Sequence, residues 1–452
     1  MSASPRELLV GLDWQVFHLQ LSGYAKLLSG NFLPLFDLNS WDFHNEITQK
    51  YGGIVRIEGP LKDQPIYEPS NVALQLHELG SHHRKQHKML NPVFNTLHLC
   101  QLTSVFYGVT HKLRKGLTSK VITSFEEVDI LHWLNCCAIQ LTGQGGLGYS
   151  FDNLTDDSVH LYSQALWDLE LLIKHLNPMF TFVLPWTKKI GTPQFQRLVV
   201  DLTPWKMLHV FRDIVDVMDA TVTEIYDEKK HVLDRGEEVA DKDIMGIALV
   251  RTLHLLVQHP GTQEDLWQEL IDATQNHEGD LLYDTLMALP HLDAVCHQML
   301  QLFPPVPIVL CIYITREDVV LPLLHPIRAM DSTNMNTIHI PRVTDIMLSI
   351  YVANRNSGTW GADAVSWNPA RWCALLPKAH VLGIYSHIHD VYSGFKFTQL
   401  EMKVVLSVLV MAFRFLLSDK EVVWDMGFIL SPRVWGEHAM QMPLKLTLRD
   451  AA

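Results

Sequence analysis

Apolar residues recur at helical spacing through most of the chain and alternate with polar ones in only a few short runs. Phe43, Ile47 and Tyr51 fall on one face and Gly52-Gly53 follows, which predicts a helix over 41–51. A strand over 54–57 comes next, and a basic helical turn over 82–90 ends at Asn91-Pro92. Over 129–141, Ile130, Leu134, Cys137 and Leu141 share a face; Asp129 is placed to cap the start and Gly143 follows the end. Long helical patterns cover 154–175 and 205–230, and the polar stretch 237–243 reads as a loop. Helices over 252–259 and 263–275 flank Pro260-Gly261. Leu292, Cys296, Met299 and Phe303 line a further helix that Pro304-Pro305 terminates. Strand-like runs over 306–314 and 346–353 lead to a long apolar helix over 397–417, and Leu444, Leu446 and Leu448 alternate as in a half-buried strand. The pattern predicts a mainly α chain with a minor antiparallel β-sheet, without repeats and without Rossmann or barrel order.

Composition narrows this picture. The 452 residues, 48% of them hydrophobic, are enough to bury a large core. The formal charge of -13, from 49 acidic and 36 basic residues with no long basic run, argues against a nucleic-acid partner. The six cysteines, Cys100, Cys136, Cys137, Cys296, Cys311 and Cys373, form no Cys-x-x-Cys pair and suit a reducing compartment. Arg6, Glu7, Asp13, Gln15 and His18 interrupt the start of the chain, so residues 1–29 are expected to carry no clear transmembrane anchor. Residues 30–452 are expected to form one domain.

Several stretches, taken in order, resemble the cytochrome P450 family, and within it the fungal membrane-associated (microsomal-type) members. His83-Arg84-Lys85-Gln86-His87 through Asn91-Pro92-Val93-Phe94 is similar to the family's C helix. Leu289-Pro290-His291-Leu292-Asp293-Ala294-Val295-Cys296, running to Phe303-Pro304-Pro305, is similar to its K helix. Ala353-Asn354-Arg355-Asn356, Trp360-Gly361 and Trp367-Asn368-Pro369-Ala370-Arg371-Trp372 are similar to its meander. Gly394-Phe395-Lys396-Phe397 and Gln399-Leu400-Glu401-Met402-Lys403 are similar to the L helix that follows the haem cysteine. The resemblance implies a P450-like fold, a haem cofactor and a hydrophobic small-molecule substrate. It also implies an NADPH-cytochrome P450 reductase as electron donor and a place at the cytoplasmic face of the endoplasmic reticulum, with peripheral membrane contact.

Against that template the chemistry-bearing positions depart. No cysteine precedes Gly394; Tyr392 stands at the cysteine's place, the loop is several residues short, and Cys373 lies too far upstream to substitute. Tyrosine is an axial haem ligand in some proteins, but Tyr392, His387 and His389 read by default as ordinary loop residues. Residues Asp243 to Val250 run straight into Arg251-Thr252-Leu253-His254, which resembles the end of the family's I helix; the acid–threonine centre of that helix is missing, and Thr252 reads as structural. Gln298 and Gln301 replace the family's Glu-x-x-Arg pair, and Ala370 replaces a glutamate beside Arg371, which must turn to solvent or find another acid. His83 and His87 occupy the positions that hold the haem propionates and share a helix face; the alternative for them is a solvated basic helix. With shortened segments after Gly59 and before His82, the fold is expected to be P450-like and truncated in several places. The function implied is a haem-dependent monooxygenase that, as this chain is written, lacks activity. The alternative is a non-catalytic P450-derived remnant or binding protein, or a truncated gene model of an active enzyme.

Overall fold

In the computed structural model the described residues are 39–51, 55–56, 66–68, 95–123, 127–151, 154–155, 160–182, 187, 190–230, 243–275, 279–311, 318–328, 334–342, 346–373, 395–426 and 429–449. The elements begin with α1 (Trp41–Tyr51), β1 (Val55–Arg56), β2 (Ile66–Glu68), α2 (Thr96–Thr123), β3 (Val128–Asp129) and α3 (Ile130–Thr142). They continue with α4 (Leu161–Phe182), α5 (Pro193–Leu202), α6 (Lys206–Lys230), α7 (Asp243–Gln258), α8 (Pro260–Thr274), α9 (Tyr283–Met287) and α10 (Pro290–Leu302). Strands β4 (Ile308–Cys311), β5 (Val319–Arg328), β6 (Asn334–Ile340) and β7 (Ile346–Ser349) precede the short helices α11 (Ile350–Ala353) and α12 (Ser357–Trp360). The last elements are α13 (Phe395–Ala412), β8 (Phe413–Leu417), β9 (Val422–Asp425), β10 (Ser431–Val434) and β11 (Pro443–Leu448). The mainly α architecture with little sheet is as the pattern predicts. Four small sheets are present among the described residues, and they are not wholly antiparallel: in the order β1-β2-β7-β4, β2 pairs with β7 in parallel, Ile66 opposite Ile346.

Helix α7 lies at the centre, against α3, α8, α10, α13 and β8, and every residue from Met245 to Val257 is buried. The expected helix over 252–259 is therefore the second half of a longer one, continuous across Val250 and Arg251. Helix α3 starts as its sequence dictates. The Asp129 carboxylate accepts hydrogen bonds from the Leu131 amide at 3.2 Å and the Met442 amide at 2.8 Å, so the cap also ties the helix to the chain entering β11.

Three boundaries depart from the pattern. The apolar run 397–417 is not one helix: α13 ends at Ala412 and β8 begins at Phe413. Phe413 and Phe415 are buried while Leu416 and Leu417 are exposed, so the burial period changes from 3.6 to 2 inside one apolar stretch. Gln263 fixes the change, its amide bonding both the N–H and the C=O of Phe415. The helix expected over 154–175 starts only at Leu161, because Leu154 adopts a left-handed conformation with φ of 56°. The strand expected over 346–353 stops at Ser349, whose hydroxyl caps α11. Helix α2 is an addition to the predicted elements; Leu99, Leu102, Phe106, Val109, Leu113 and Leu117 form its buried stripe. The turn expected over 82–90 and the loop over 237–242 lie outside the described residues.

Helices α10 and α13 are locked together by charge. Lys403, fully buried on α13, places Nζ 2.6 Å from Asp293 Oδ1 on α10 and 3.0 Å from the Met287 carbonyl. The other Asp293 oxygen lies 3.0 Å from His297 Nδ1, and Gln399 Nε2 donates to Asp293 Oδ1 at 3.2 Å. Burial alone would raise the Asp293 pKa; the contacts with His297 and Lys403 outweigh it and hold the carboxyl below its ordinary value. Breaking a buried pair strands the remaining charge at a cost of about 3–5 kcal/mol. Asp293→Ala is accordingly expected to destabilise by about 3 kcal/mol, and the double variant Asp293→Ala/Lys403→Met to recover most of that loss. Denaturant unfolding of the two variants and the parent checks this; additive losses would contradict it.

Glu401, two residues before Lys403, is buried with Oε1 unpartnered, and burial pushes its carboxyl well above the ordinary range. As pH rises through about 4.3 the unfolded chain releases this proton and the folded chain keeps it, so stability falls with pH. Glu401→Gln is expected to raise stability at pH 7 and flatten its decline above pH 5. An unchanged pH profile of thermal unfolding would contradict this.

Candidate functional site

Of the residues singled out from sequence, Gln298, Gln301 and Arg371 lie where the C-terminal half of α10 meets the chain from Ile350 to Cys373. Helix α10 is anchored at its start by Glu269 of α8, whose carboxylate accepts from the first-turn amides of His291 at 2.7 Å and Leu292 at 2.9 Å. Further along, Gln298 and Gln301 are fully buried. Gln298 Oε1 accepts from Trp372 Nε1 at 3.0 Å, and its Nε2 donates to the Ser366 carbonyl at 3.3 Å. Gln301 Nε2 donates to the carbonyls of Asn354 at 3.0 Å and Ala364 at 3.4 Å. His297 adds a ring contact with Trp372, centroids 4.8 Å apart. Two neutral amides thus brace the segment from α10.

Arg371 resolves the choice left open in its sequence: it finds another acid. Its side chain is 8% exposed, and Nη2 lies 2.8 Å from Asp363 Oδ2 and 2.7 Å from the Asp363 carbonyl. Nη1 reaches the Trp360 carbonyl at 3.3 Å. The ion pair therefore closes within the loop itself and does not reach α10. The neutral replacement leaves Arg371 Nε and Gln301 Oε1, both buried, without partners. Nothing in residue spacing marked Asp363 for this role.

Thr252 lies on the central helix α7. Thr252 is fully buried and its hydroxyl bonds back to the Ala248 carbonyl at 2.8 Å, a structural contact with no acid beside it. Arg251, its neighbour, is buried in the middle of the same helix. His83, His87 and Tyr392 lie outside the described residues, as do His387 and His389.

The sequence model of the cytochrome P450 family matches residues 34–237 and 245–375. The chain belongs to the cytochrome P450 family. Curated relatives agree. Cytochrome P450 monooxygenase 91 of Postia placenta is 35% identical over 497 aligned positions, which take in 92% of this chain and 91% of the relative. Ganoderic acid synthetase CYP5150L8 of Ganoderma lucidum is 33% identical over 78% of this chain and 74% of its own. Cytochrome P450 monooxyhenase eriI of Hericium erinaceus is 30% identical over 512 positions, covering 93% and 92%. Alignments of 497 and 512 positions exceed the 452 residues present here, so these relatives carry residues at positions where this P450 has none.

Family membership implies haem, held in P450s by a cysteine thiolate that favours O–O cleavage. The cysteines present do not fit that task. Residues 374–452 contain none. Cys136, Cys137 and Cys296 are buried within α3 and α10. Burial, aided by Glu401, pushes the Cys137 thiol far up, and burial pushes Cys296 up to about 12, so both remain protonated thiols. Cys100 lies exposed on α2, and Cys373 is exposed with Sγ 3.9 Å from the Pro290 carbonyl at the start of α10. Cys311 lies on β4. Among the described residues no helix is long and apolar enough to cross a membrane.

Asp363→Ala is expected to lower stability by about 1–2 kcal/mol, because a buried guanidinium loses its only carboxylate among the described residues. Hydrogen exchange of residues 360–372 should quicken with it. Unchanged exchange there would contradict the assignment of Asp363 as the partner of Arg371.

Proposed function

We propose that this P450, as its chain stands, is not a monooxygenase: it keeps the helical frame of the family without the groups that activate oxygen. The observation that carries this is the absence of any cysteine after Cys373, which leaves the segment before α13 without a thiolate for iron. Three further observations support it. Thr252 is spent on the Ala248 carbonyl, with no neighbouring acid to deliver protons. Helix α7 runs unbroken across Val250 and Arg251, where the acid–threonine segment is missing. Gln298 and Gln301 carry no charge to the meander. Tyr392, His83 and His87 are the remaining candidates for iron and propionate contacts, and no bound haem is required by the neutral bracing of α10. On this reading residues 30–452 form one domain.

A second reading has its own support. Relatives that align over more positions than this chain has residues suit a shortened transcript or gene model of an active enzyme. The full product would then take haem, electrons from NADPH-cytochrome P450 reductase and a hydrophobic small molecule, at the cytoplasmic face of the endoplasmic reticulum.

The unmodified chain, supplied with haem, reductase and NADPH and offered a panel of hydrophobic substrates, is expected to form no hydroxylated product above the enzyme-free background. Tyr392→Cys alone is expected to leave that unchanged, because the loop around it is also short. Product that carbon monoxide abolishes would overturn the proposal. Sequencing the source transcripts separates the two readings: reading frames encoding an acid–threonine helix at the Val250–Arg251 junction favour the second.

A further inference from the structure

Arg251 is the most anomalous charge among the described residues. It stands in the middle of α7, 8% exposed, with Phe303 3.7 Å and Trp424 4.5 Å from its guanidinium carbon. A second guanidinium, that of Arg355, lies 5.0 Å from the same Phe303 ring and 4.2 Å from Tyr351. Trp41 closes the cluster, edge-on to Phe303 and Tyr351, with its indole N–H on the Trp424 carbonyl at 2.9 Å. No carboxylate among the described residues pairs with either arginine. Burial and the charge of Arg355 push the Arg251 pKa down to about 9, which still leaves it charged at neutral pH.

The aromatic rings cover guanidinium faces; they do not meet its in-plane N–H donors. Arg355 directs Nε and Nη2 to the Leu302 carbonyl, at 3.1 and 2.9 Å. Among the described residues the one side-chain hydrogen-bond contact of Arg251 is Nη1 with His254 Nδ1 at 3.4 Å, and that lone pair already accepts from Trp424 Nε1 at 2.8 Å. His254 cannot add negative charge: burial and Arg251 hold its pKa down to about 3, so it is neutral. Nε of Arg251 is buried without a partner, and the hydrogen bond that Arg251 makes to a described residue leaves from Nη1, not from Nη2. These two donors form the parallel edge with which arginine grips two oxygens at once. Arg355, Phe303 and Trp41 are each half-buried, and through them the cluster meets solvent.

We propose that the Nε–Nη2 edge of Arg251, backed by the charge of Arg355, binds a carboxylate supplied by a ligand. A free small acid and the carboxylate end of an apolar acid share this chemistry. The site lies on the Phe303–Trp424 side of α7 and does not depend on whether the chain oxidises anything. The contrary account is that Arg251 is merely a charge trapped at the junction where Val250 runs into the end of the helix.

Thermal unfolding of the full chain, titrated with sodium acetate or sodium octanoate against chloride at constant ionic strength, decides between them. The midpoint is expected to rise progressively with carboxylate and not with chloride, and a saturable heat should appear in calorimetry. An octanoate response at tenfold lower concentration than acetate assigns an apolar acid; equal responses assign a free small anion. Arg251→Met is expected to abolish the carboxylate response, and Arg251→Lys, which lacks the paired edge, to weaken it at least tenfold. No carboxylate response in the unmodified chain overturns the proposal, as does an equal response in Arg251→Met.

Discussion

The contact between Lys403 and Asp293 is the constraint on which this arrangement depends. An ammonium at the centre of a helix that packs on α2, α7, α8 and α10 has no route to water. Its desolvation is tolerable only because Asp293, the Met287 carbonyl and the geometry of α9 and α10 are in place. That requirement fixes the register of α13 against α10. Through α10 it sets where Gln298 and Gln301 meet the meander, and through α13 it sets where Phe397 meets Phe106 on α2, ring centroids 5.1 Å apart. The interaction needs neither metal nor thiolate, so the packing of these helices does not depend on either.

The exchange of a charged brace for a neutral one shows how that is achieved. A buried carboxylate and guanidinium on α10 would need each other and Arg371 together. The two glutamines instead spread their hydrogen bonds over Trp372, Ser366, Asn354 and Ala364, and Arg371 turns to an acid eight residues away in its own loop. Two orphaned atoms, Arg371 Nε and Gln301 Oε1, mark the imperfection of the exchange. Each costs about 1–3 kcal/mol, which a large apolar core absorbs.

Much of this was legible in residues. Asp129 caps its helix as the spacing requires, the α10 stripe is where Leu292, Cys296 and Met299 put it, and β11 forms with Leu444 and Leu446 buried, though Leu448 at its end is exposed. The family followed from the order of local stretches, which survives loss of the site between them. What was not legible had a physical cause. An apolar run does not show where its period changes, so β8 was hidden behind α13 until Gln263 was seen to grip Phe415. The α2 stripe was present in the sequence but had no cap or breaker to frame it. Asp363 and the Lys403–Asp293 pair depend on contacts across 8 and 110 positions, for which neither period nor motif gives a signal. Arg251 was legible only as part of a helix end; its burial without a carboxylate among the described residues is a matter of packing.

The central claim is that the frame persists without a thiolate for iron. It is tested most directly by the absorption spectrum of the purified chain, supplied with haem, reduced and exposed to carbon monoxide. The account predicts a folded protein whose spectrum lacks the shifted Soret band of a thiolate-ligated haem. That band, given by the unmodified chain, would contradict it.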